Sequence, residues 1–314
     1  MKNYLFIGGG GFIGSSIINM FHKYESNIEI HILEPEGASL DRVMHNRVHI
    51  HYGYISDIYL IEDIIKTENI TKVIHLVSTM VPGSNFEDYK NEFEKIIFPT
   101  IQLMQICSRE KIQLVYFSSG GTVYGDRSTL EPFVEADPKE PISYYGLSKQ
   151  MIENSILFEH RTSHLDYLVI RPSNPYGPGQ NIHGRQGLIA VSIGNILNGT
   201  PINIWGDGSA IRDYIYIDDL ADAVFQILTS DVNNAIINIG SGKGYSVNKI
   251  IEIIKNVVEE PVRVVYTPLR KQDVSNMILN NTLLNNITDI HPTSIKDGIQ
   301  KFYEYEKSRY DNRL

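Results

Sequence analysis

The sequence predicts an α/β fold, in which a doubly wound parallel sheet with helices on both faces is followed by a smaller C-terminal α/β lobe. Short runs of β-branched residues alternate with longer helical patterns up to about residue 172, and this alternation is typical of parallel sheets. A glycine-rich turn directly follows the first run. After Arg171, prolines and glycines crowd one loop and the elements become shorter.

These patterns place the individual elements. The predicted strands are Tyr4–Ile7, Ile28–Leu33, Lys72–Val77, Gln113–Phe117 and Tyr167–Ile170. The predicted helices are Phe12–His22, Phe93–Arg109 and Ser143–His160. We expect a first domain over residues 1–172, to which segments near 212–242 return, and a second lobe made mainly of residues 173–314.

Composition narrows the class of function. The chain has 314 residues, 42% of them hydrophobic, and a net charge of −9, so wholesale disorder and an electrostatic footprint for nucleic acid are excluded. No apolar run approaches the roughly 18 residues of a membrane span. The residues before the first glycines are too few for a signal sequence, and the one cysteine, Cys107, fits a reducing compartment. We expect a cytoplasmic protein with a small-molecule partner and neither a nucleic-acid nor a membrane partner.

The glycine turn predicts a dinucleotide site of the Rossmann type. Gly8, Gly11 and Gly14 follow the first strand and open the first helix, where a tight turn and close approach of a pyrophosphate both need glycine. Glu34 ends the second strand at the spacing of about 20 residues typical of the ribose-binding acid. A carboxylate there accepts both ribose hydroxyls and repels a 2′-phosphate. The expected cofactor is therefore NAD, held also by the helix-opening residues Phe12 and Ile13.

A tyrosine and a lysine on one helix predict the chemistry. Tyr145 and Lys149 are four residues apart and so share a helix face. A tyrosine base at neutral pH needs roughly 4 kcal/mol of stabilisation for its anion. An ammonium about 5 Å away supplies roughly 3 kcal/mol at an effective dielectric near 20, and a positive nicotinamide ring could supply the rest. Tyr144 is the weaker candidate because Ser148, four residues on, carries no charge.

Several longer segments make the chain resemble the extended short-chain dehydrogenases/reductases and, within them, the UDP-sugar 4-epimerases. The resemblance runs from Tyr4 to about Asp273. The segments that carry it are Ser118–Gly125 (SSGGTVYG), Ser143–Lys149 (SYYGLSK), Arg171–Gln180 (RPSNPYGPGQ), Ile204–Gly208 (IWGDG) and Arg212–Asp219 (RDYIYIDD).

The resemblance implies a reaction and a set of roles. Tyr145 takes the proton of the sugar 4-hydroxyl while hydride passes to tightly held NAD⁺, and Lys149 lowers the pKa of Tyr145 and binds the nicotinamide ribose. Further cofactor contacts are implied for Tyr54, Ile55, Leu76, Val77, Ser78, Ser118 and Pro172. Substrate contacts are implied for Gly120, Gly121, Asn174, Gln186, Gly187, Arg212, Arg270 and Asp273.

One departure concerns the catalytic hydroxyl. The family's catalytic Ser or Thr is replaced by Gly120, so Ser119 or Thr122 is expected to substitute for it, with Thr122 also interpretable as a backbone partner. Related 4,6-dehydratases carry an Asp-Glu acid/base pair where this chain has Gly121 and Thr122. The missing carboxylates argue against dehydration.

Two further departures concern affinity and substrate size. Tyr54, Ile96 and Met80 replace family residues that contact the cofactor, so weaker retention of NADH is expected. Met277 stands where the glucose-type enzymes carry a bulky tyrosine. Both UDP-hexoses and UDP-N-acetylhexosamines therefore remain open as substrates.

The motifs are compatible with more than one function. A nucleotide-sugar C2-epimerase, a 4-ketoreductase and a non-catalytic NAD or nucleotide-sugar binding protein share most of these motifs. His49 and His51 alternate on one short strand, but with no third ligand evident no metal is expected. The helices Phe93–Arg109 and Ser143–His160 resemble the pair that forms a four-helix dimer interface in the family, so a homodimer is expected.

Overall fold

The computed structural model describes residues 2–24, 27–43, 47–184, 186–268 and 274–311. In chain order its elements are β1 (Lys2–Ile7), α1 (Phe12–Lys23), β2 (Ile28–Glu34), β3 (Val48–Tyr52), α2 (Ile58–Thr67), β4 (Ile70–His75), α3 (Phe86–Glu92), a π-helical turn (Phe93–Ile97), α4 (Phe98–Glu110), β5 (Gln113–Phe117), α5 (Tyr144–Ser163), β6 (Tyr167–Pro172), β7 (Asn174–Tyr176), α6 (Leu188–Leu197), β8 (Ile202–Trp205), β9 (Ile211–Tyr216), α7 (Ile217–Thr229), β10 (Ala235–Ile239), β11 (Gly244–Ser246), α8 (Val247–Lys255), β12 (Val264–Thr267), β13 (Asn276–Met277), α9 (Thr282–Ile287) and α10 (Ile295–Asp311).

A seven-stranded sheet confirms the predicted doubly wound parallel fold. Its strand order is β10-β6-β5-β4-β1-β2-β3, and every neighbouring pair is parallel. The order reverses between β1 and β4, because successive strands add on opposite sides of β1. In open α/β sheets the crevice at the carboxyl ends of such strands is where ligands bind.

Two apolar layers cover this sheet, one on each face. One layer joins α1 and α7 to the sheet through residues such as Ile17, Ile32 and Val224. The other joins α2, α4 and α5 through residues such as Ile64 and Leu103. Burial on both faces explains why the strands read as nearly continuous apolar runs.

The second lobe has its own sheets and core. Strands β11, β9 and β13 form one sheet with β7 paired to β9, and β12 pairs with β8. Helices α6, α8 and α10 surround a separate apolar cluster. After β9 the chain returns to the first layer, because α7 packs on α1 and β10 becomes the edge strand beside β6.

Two predicted elements differ from the structure. The run Lys72–Val77 extends past β4, which ends at His75, and Val77 instead packs against the glycine turn. The predicted helix Phe93–Arg109 is divided, since a π-helical turn occupies Phe93–Ile97 before α4 begins. Of the helices in the described ranges, none combines the length and the apolar character needed to cross a membrane.

Candidate active site

The glycine turn after β1 is a close-packed cradle. Gly8 has φ +85°, and a Cβ there would lie 2.7 Å from Val77 Cγ2. A Cβ on Gly14 would lie 2.7 Å from the Gly9 carbonyl oxygen. Gly11 is the N-cap of α1, and no side chain caps the helix. The first N–H groups of α1 are therefore available to an anionic ligand such as a pyrophosphate.

Glu34 lies beside this turn, as the spacing predicts. It is buried at the end of β2, and its Oε1 accepts a hydrogen bond from the Gly10 N–H at 2.7 Å. Burial raises the pKa of the carboxyl, and the Gly10 bond opposes that shift. On the adjacent loop Tyr54 is exposed and Ile55 is buried, and the Gly53 N–H joins this loop to the Glu34 carbonyl at 2.9 Å.

The loop after β4 forms the next part of the crevice. The Leu76 N–H donates to the Ile7 carbonyl at 3.0 Å, which joins the ends of β4 and β1. The Ser78 hydroxyl donates to Glu92 Oε1 at 2.7 Å. Pro172 ends β6, and its carbonyl accepts from the Gly120 N–H at 2.9 Å. Backbone bonds thus fix the loops that the resemblance assigns to the cofactor.

Lys149 lies inside the crevice rather than on a solvated helix face. Its side chain is buried, and Nζ donates to the Phe117 carbonyl at 3.0 Å and lies 5.5 Å from the Tyr145 ring centroid. Burial lowers the pKa of Lys149 to about 8, opposed by the carboxylates of Glu92 and Glu153. The strand end holds the ammonium in one place beside the tyrosine.

Tyr145 is the group whose environment differs most from expectation. Burial raises its pKa to about 12; a hydrogen bond with Ser119 lowers it and the Glu92 carboxylate raises it. Lys149 is not among the groups that shift this pKa here, so the expectation that Lys149 and the positive nicotinamide ring together lower it stays a prediction for the cofactor-bound protein. The pKa is raised because desolvation of the phenolate outweighs the nearby charges.

The segment after β5 explains the missing hydroxyl. A Cβ on Gly120 would lie 2.7 Å from Leu279 Cδ1 and 3.0 Å from the Arg171 carbonyl oxygen, so a side chain has no space there. Ser119, one residue earlier, reaches Tyr145 instead. Thr122 Oγ1 is buried and has no hydrogen-bond partner within the described part of the chain.

Gly121 marks a small space between the two lobes. A Cβ there would be 3.6 Å from Met277 Cε, 3.7 Å from Asn174 Oδ1 and 3.8 Å from Ser119 Oγ. Asn174 is fixed, since its Nδ2 donates to the Asp213 carbonyl at 2.7 Å. Ser119, Asn174 and Met277 therefore surround one position close to Tyr145.

The remaining predicted substrate residues lie on the second lobe. Arg212 on β9 donates through Nη1 to the Ile211 carbonyl at 2.8 Å and through Nη2 to the Val274 carbonyl at 2.5 Å. Gly187 has φ +93° at the start of α6, and Gln186 before it is exposed. Arg270 and Asp273 lie outside the described residues.

Glu92 is a site residue that the sequence did not reveal. Its carboxylate is buried at the end of α3 and accepts from the Ser78 hydroxyl and from the Thr79 N–H at 2.9 Å. A glutamate among the charged residues of α3 reads as solvent-exposed. Glu92 could have been identified from the sequence only if the π-helical turn that follows it had been recognised, because such turns are often found at functional sites.

A buried ion pair between α5 and β6 stabilises the region that carries the site residues. Glu153 on α5 accepts two hydrogen bonds from the Arg171 guanidinium, at 3.0 Å and 2.7 Å. Ser118 donates to the same carboxylate, so its side chain turns away from the crevice, and Arg171 Nη1 donates to the Tyr124 hydroxyl at 2.7 Å. The pair links α5 to the segment that carries Ser119.

The fold and this arrangement of glycine turn, tyrosine and lysine define a class. Residues 4–240 match the model of the NAD dependent epimerase/dehydratase family, and the chain belongs to that family. A dTDP-4-dehydro-6-deoxyglucose reductase of Escherichia coli is 33% identical over 255 residues, which are 80% of each protein.

Solved structures are similar over nearly the whole chain. A UDP-glucose 4-epimerase of Thermotoga maritima, crystallised with UDP-glucose, is 27% identical with a TM-score of 0.90, and 98% of this chain and 99% of that chain are covered. A UDP-N-acetylglucosamine 4-epimerase of Methanobrevibacter ruminantium, in complex with UDP-N-acetylmuramic acid, is 26% identical with a TM-score of 0.88 and the same coverage.

Proposed function

We propose that the protein is an NAD-dependent epimerase that inverts C4 of a UDP-hexose or UDP-N-acetylhexosamine through a 4-keto sugar. The observation that carries the proposal is the group Ser119, Tyr145 and Lys149 at the carboxyl ends of the central strands, beside the glycine turn. Membership of the NAD dependent epimerase/dehydratase family supports it.

The residues present fit an NAD molecule. The uncapped start of α1 and the glycine cradle suit its pyrophosphate, and Glu34 suits the hydroxyls of the adenosine ribose. When bound, the oxidised nicotinamide supplies a positive charge and a hydride acceptor. Leu76, Val77 and Ser78 would line its path across the crevice, and Lys149 would bond the second ribose.

The chain's own residues move the proton. Tyr145 accepts the proton of the sugar 4-hydroxyl as the C4 hydrogen leaves as hydride, and returns it when the hydride is given back to the other face of C4. The Ser119 hydroxyl, which lowers the pKa of Tyr145, relays this proton in place of the hydroxyl that Gly120 lacks. Lys149 stabilises the phenolate by its charge.

The second lobe supplies the nucleotide-sugar contacts. Asn174 and Gly121 would face the sugar, Gln186 and Gly187 the nucleotide, and Arg212 the diphosphate, where a guanidinium suits anionic oxygens. Arg270 and Asp273 retain their proposed roles at the diphosphate and ribose. Because Gly121 and Thr122 provide no carboxylates, elimination of the 6-hydroxyl is not part of the proposal.

A homodimer is part of the proposed assembly. Large aromatic side chains are exposed on the π-helical turn and on α4 and α5, namely Phe93, Phe98 and Phe158. Since α4 packs against α5 within the chain, a second copy would cover these rings in a four-helix arrangement. The absence of an apolar spanning helix among the described residues is consistent with the proposed cytoplasmic location.

The experiment that tests the function is direct conversion of nucleotide sugars. UDP-glucose, UDP-galactose and their N-acetylated counterparts are incubated with NAD-loaded protein, and the anomeric protons are followed by NMR. We expect the C4 epimer to accumulate to equilibrium from either side. Binding of NAD and sugar without conversion would instead identify a non-catalytic binding protein.

A 4-ketoreductase is a second candidate, favoured by the 33% identity to a dTDP-4-dehydro-6-deoxyglucose reductase. The same tyrosine would then donate its proton to a 4-keto oxygen, and one NADH would be consumed in each turnover. Stoichiometric loss of NADH absorbance with a dTDP-4-keto-6-deoxy sugar, without epimerisation of UDP-sugars, would favour the reductase over the epimerase.

A further inference from the structure

A group of histidine side chains lies on one face of the sheet edge. His31 on β2 pairs in register with His49 on β3, and His51 lies two residues further along β3. Alternate residues of a strand point to the same face, so the three imidazoles share one face. Glu68, which directly follows α2, approaches them from the neighbouring layer.

The geometry of this group suits a single metal ion. His31 Nδ1 and His51 Nε2 are 3.1 Å apart, and these atoms and a Glu68 carboxylate oxygen all lie within 4.8 Å of one another. Ligand atoms on a tetrahedral zinc ion with bonds of about 2.0–2.1 Å are separated by about 3.3 Å. The two nitrogens, 3.1 Å apart, are close to this spacing, and the Glu68 oxygen lies within 4.8 Å of both.

The charge state of the rings also suits a metal. Burial and the neighbouring imidazoles lower the pKa of His31 to about 4, and burial lowers the pKa of His51. A neutral imidazole is the form that offers a ring nitrogen to a metal, and burial of both rings favours that form. Glu68 adds the negative charge, and Glu29 lies 3.4 Å from His49 Nε2 beside the group.

We propose that His31, His51 and Glu68 bind one divalent transition-metal ion of the zinc type, with water as the fourth ligand. Two imidazoles and a carboxylate suit zinc better than magnesium or calcium. His31 is buried, whereas His51 and Glu68 are half-buried and give the ion a path from solvent. The ion would join β2 and β3 to the end of α2.

A metal site was not expected from the sequence, and this one takes no part in the proposed reaction. The sequence shows no third ligand next to His49 and His51. The fold brings His31, from β2, and Glu68, from the end of α2, close to His51. Glu34, the proposed ribose ligand, lies three residues after His31 and so on the opposite face of β2. The ion therefore has a structural role away from the coenzyme crevice.

The test uses full-length, tag-free protein treated with a chelator and then dialysed. Titration with Zn²⁺ by calorimetry, and with Co²⁺ by visible absorbance, should show one equivalent bound in a tetrahedral environment and a raised Tm. His51→Gln and Glu68→Gln should each weaken binding at least tenfold. His291→Gln is the matched control, because His291 is an exposed histidine 3.9 Å from the carboxylate of Asp289 and should bind like the parent.

Two results would overturn the proposal. Absence of binding would leave His31 and His51 as a simple imidazole hydrogen bond. Equal binding by the parent, His51→Gln and Glu68→Gln would show an adventitious ion only. Glu68→Gln alters a half-buried loop residue, so the test stands even if His51→Gln fails to fold. Chelated protein should still bind NAD with the parental affinity, and a loss of NAD binding would contradict a structural role away from the coenzyme crevice.

Discussion

Neighbouring groups shift the pKa of the Tyr145 hydroxyl in opposite directions. Burial and the Glu92 carboxylate raise its pKa, and the Ser119 hydroxyl lowers it. With a pKa of about 12 the phenol is protonated in the free protein. Ionisation is therefore expected only when cofactor and substrate are bound, so the base is not exposed in its reactive form to solvent.

Replacing Ser119 tests the proposed proton relay. We expect Ser119→Ala to lower kcat by about 10²–10³-fold. Because the lost hydrogen bond lowered the pKa of Tyr145, the acidic limb of the kcat–pH profile should move to higher pH. Ser155→Ala, which removes a hydroxyl bonded only to the Met151 carbonyl on the same helix, is the control. A loss seen with Thr122→Val but not with Ser119→Ala would assign the relay to Thr122.

Replacing Glu92 should shift the kcat–pH profile in the opposite direction, to lower pH. Its carboxylate raises the pKa of both Tyr145 and Lys149, so in Glu92→Gln both limbs of the profile should move to lower pH. The isosteric amide keeps an oxygen for the Thr79 N–H. A uniform loss of kcat at every pH, with neither limb moved, would show that Glu92 only holds the Ser78–Thr79 loop.

At the residue scale, spacing predicts position. Lys149 lies beside the Tyr145 ring as the four-residue spacing predicts, and Glu34 ends β2 beside the glycine turn, while the roles of all three stay predictions. The reason for Gly120 was not predictable, because its neighbour Leu279 is distant in sequence and only the fold brings it within contact. Glu92 was missed because nothing local distinguishes a buried glutamate from an exposed one.

At the scale of elements, the glycine turn and α1 form one rigid unit. A Cβ on Gly14 would lie 2.7 Å from the Gly9 oxygen and 2.8 Å from the Gly8 oxygen. Gly14→Ala should therefore displace the turn and raise the Kd for NAD by at least about tenfold, or about 1.4 kcal/mol, measured by calorimetry. Gly83→Ala, where a Cβ meets nothing within 4 Å, should bind NAD normally. Unchanged affinity in Gly14→Ala would contradict the proposed cofactor site.

The buried pair Arg171–Glu153 should dominate the stability of the α5 packing. Arg171→Met leaves the Glu153 carboxylate, which is fully buried, without its main partner, and we expect a loss of about 3–5 kcal/mol in the free energy of unfolding. Denaturant titration measures it. Arg171→Met with Glu153→Gln should recover a large part of that loss, and a double variant no better than the single one would contradict the account.

Element boundaries were predictable where apolar runs coincide with strands. Gln113–Phe117 and β5 agree, and Tyr167–Ile170 lies within β6. The division of Phe93–Arg109 was not predictable, because a π-helical turn adds one residue to a helical turn without a distinctive composition. The same turn separates Glu92 from α4.

At the scale of the whole molecule, the exposed aromatic rings on α4 and α5 predict a homodimer. Phe98→Glu with Phe158→Glu places charges where two copies would bury aromatic rings, and light scattering should show a monomer where the parent is a dimer. Tyr59→Glu is the control, because Tyr59 is 86% exposed on α2 and lies outside this surface. A monomeric parent, or a double variant that stays dimeric, would contradict the proposed interface.

The two lobes approach each other at Gly121, in the loop after β5, where Asn174 of β7 and Met277 of β13 lie close to it. The chain reaches this junction twice from the second lobe, through Asn174 and Met277, and both residues come within 4 Å of a Cβ placed on Gly121. The sequence order alone could not show this convergence.

Met277→Tyr should restrict the space beside Gly121 and reduce kcat/KM for N-acetylated sugars more than for UDP-glucose, as competition assays would measure.

In the proposed reaction, Tyr145 moves the proton of a sugar 4-hydroxyl and is oriented by Ser119 and Lys149. The most direct test compares the parent and Tyr145→Phe, both loaded with NAD, by NMR of the anomeric protons of UDP-glucose and UDP-N-acetylglucosamine. The parent should form the C4 epimers, and the variant should bind NAD equally well yet form none. Epimerisation by Tyr145→Phe at the parental rate would contradict the claim.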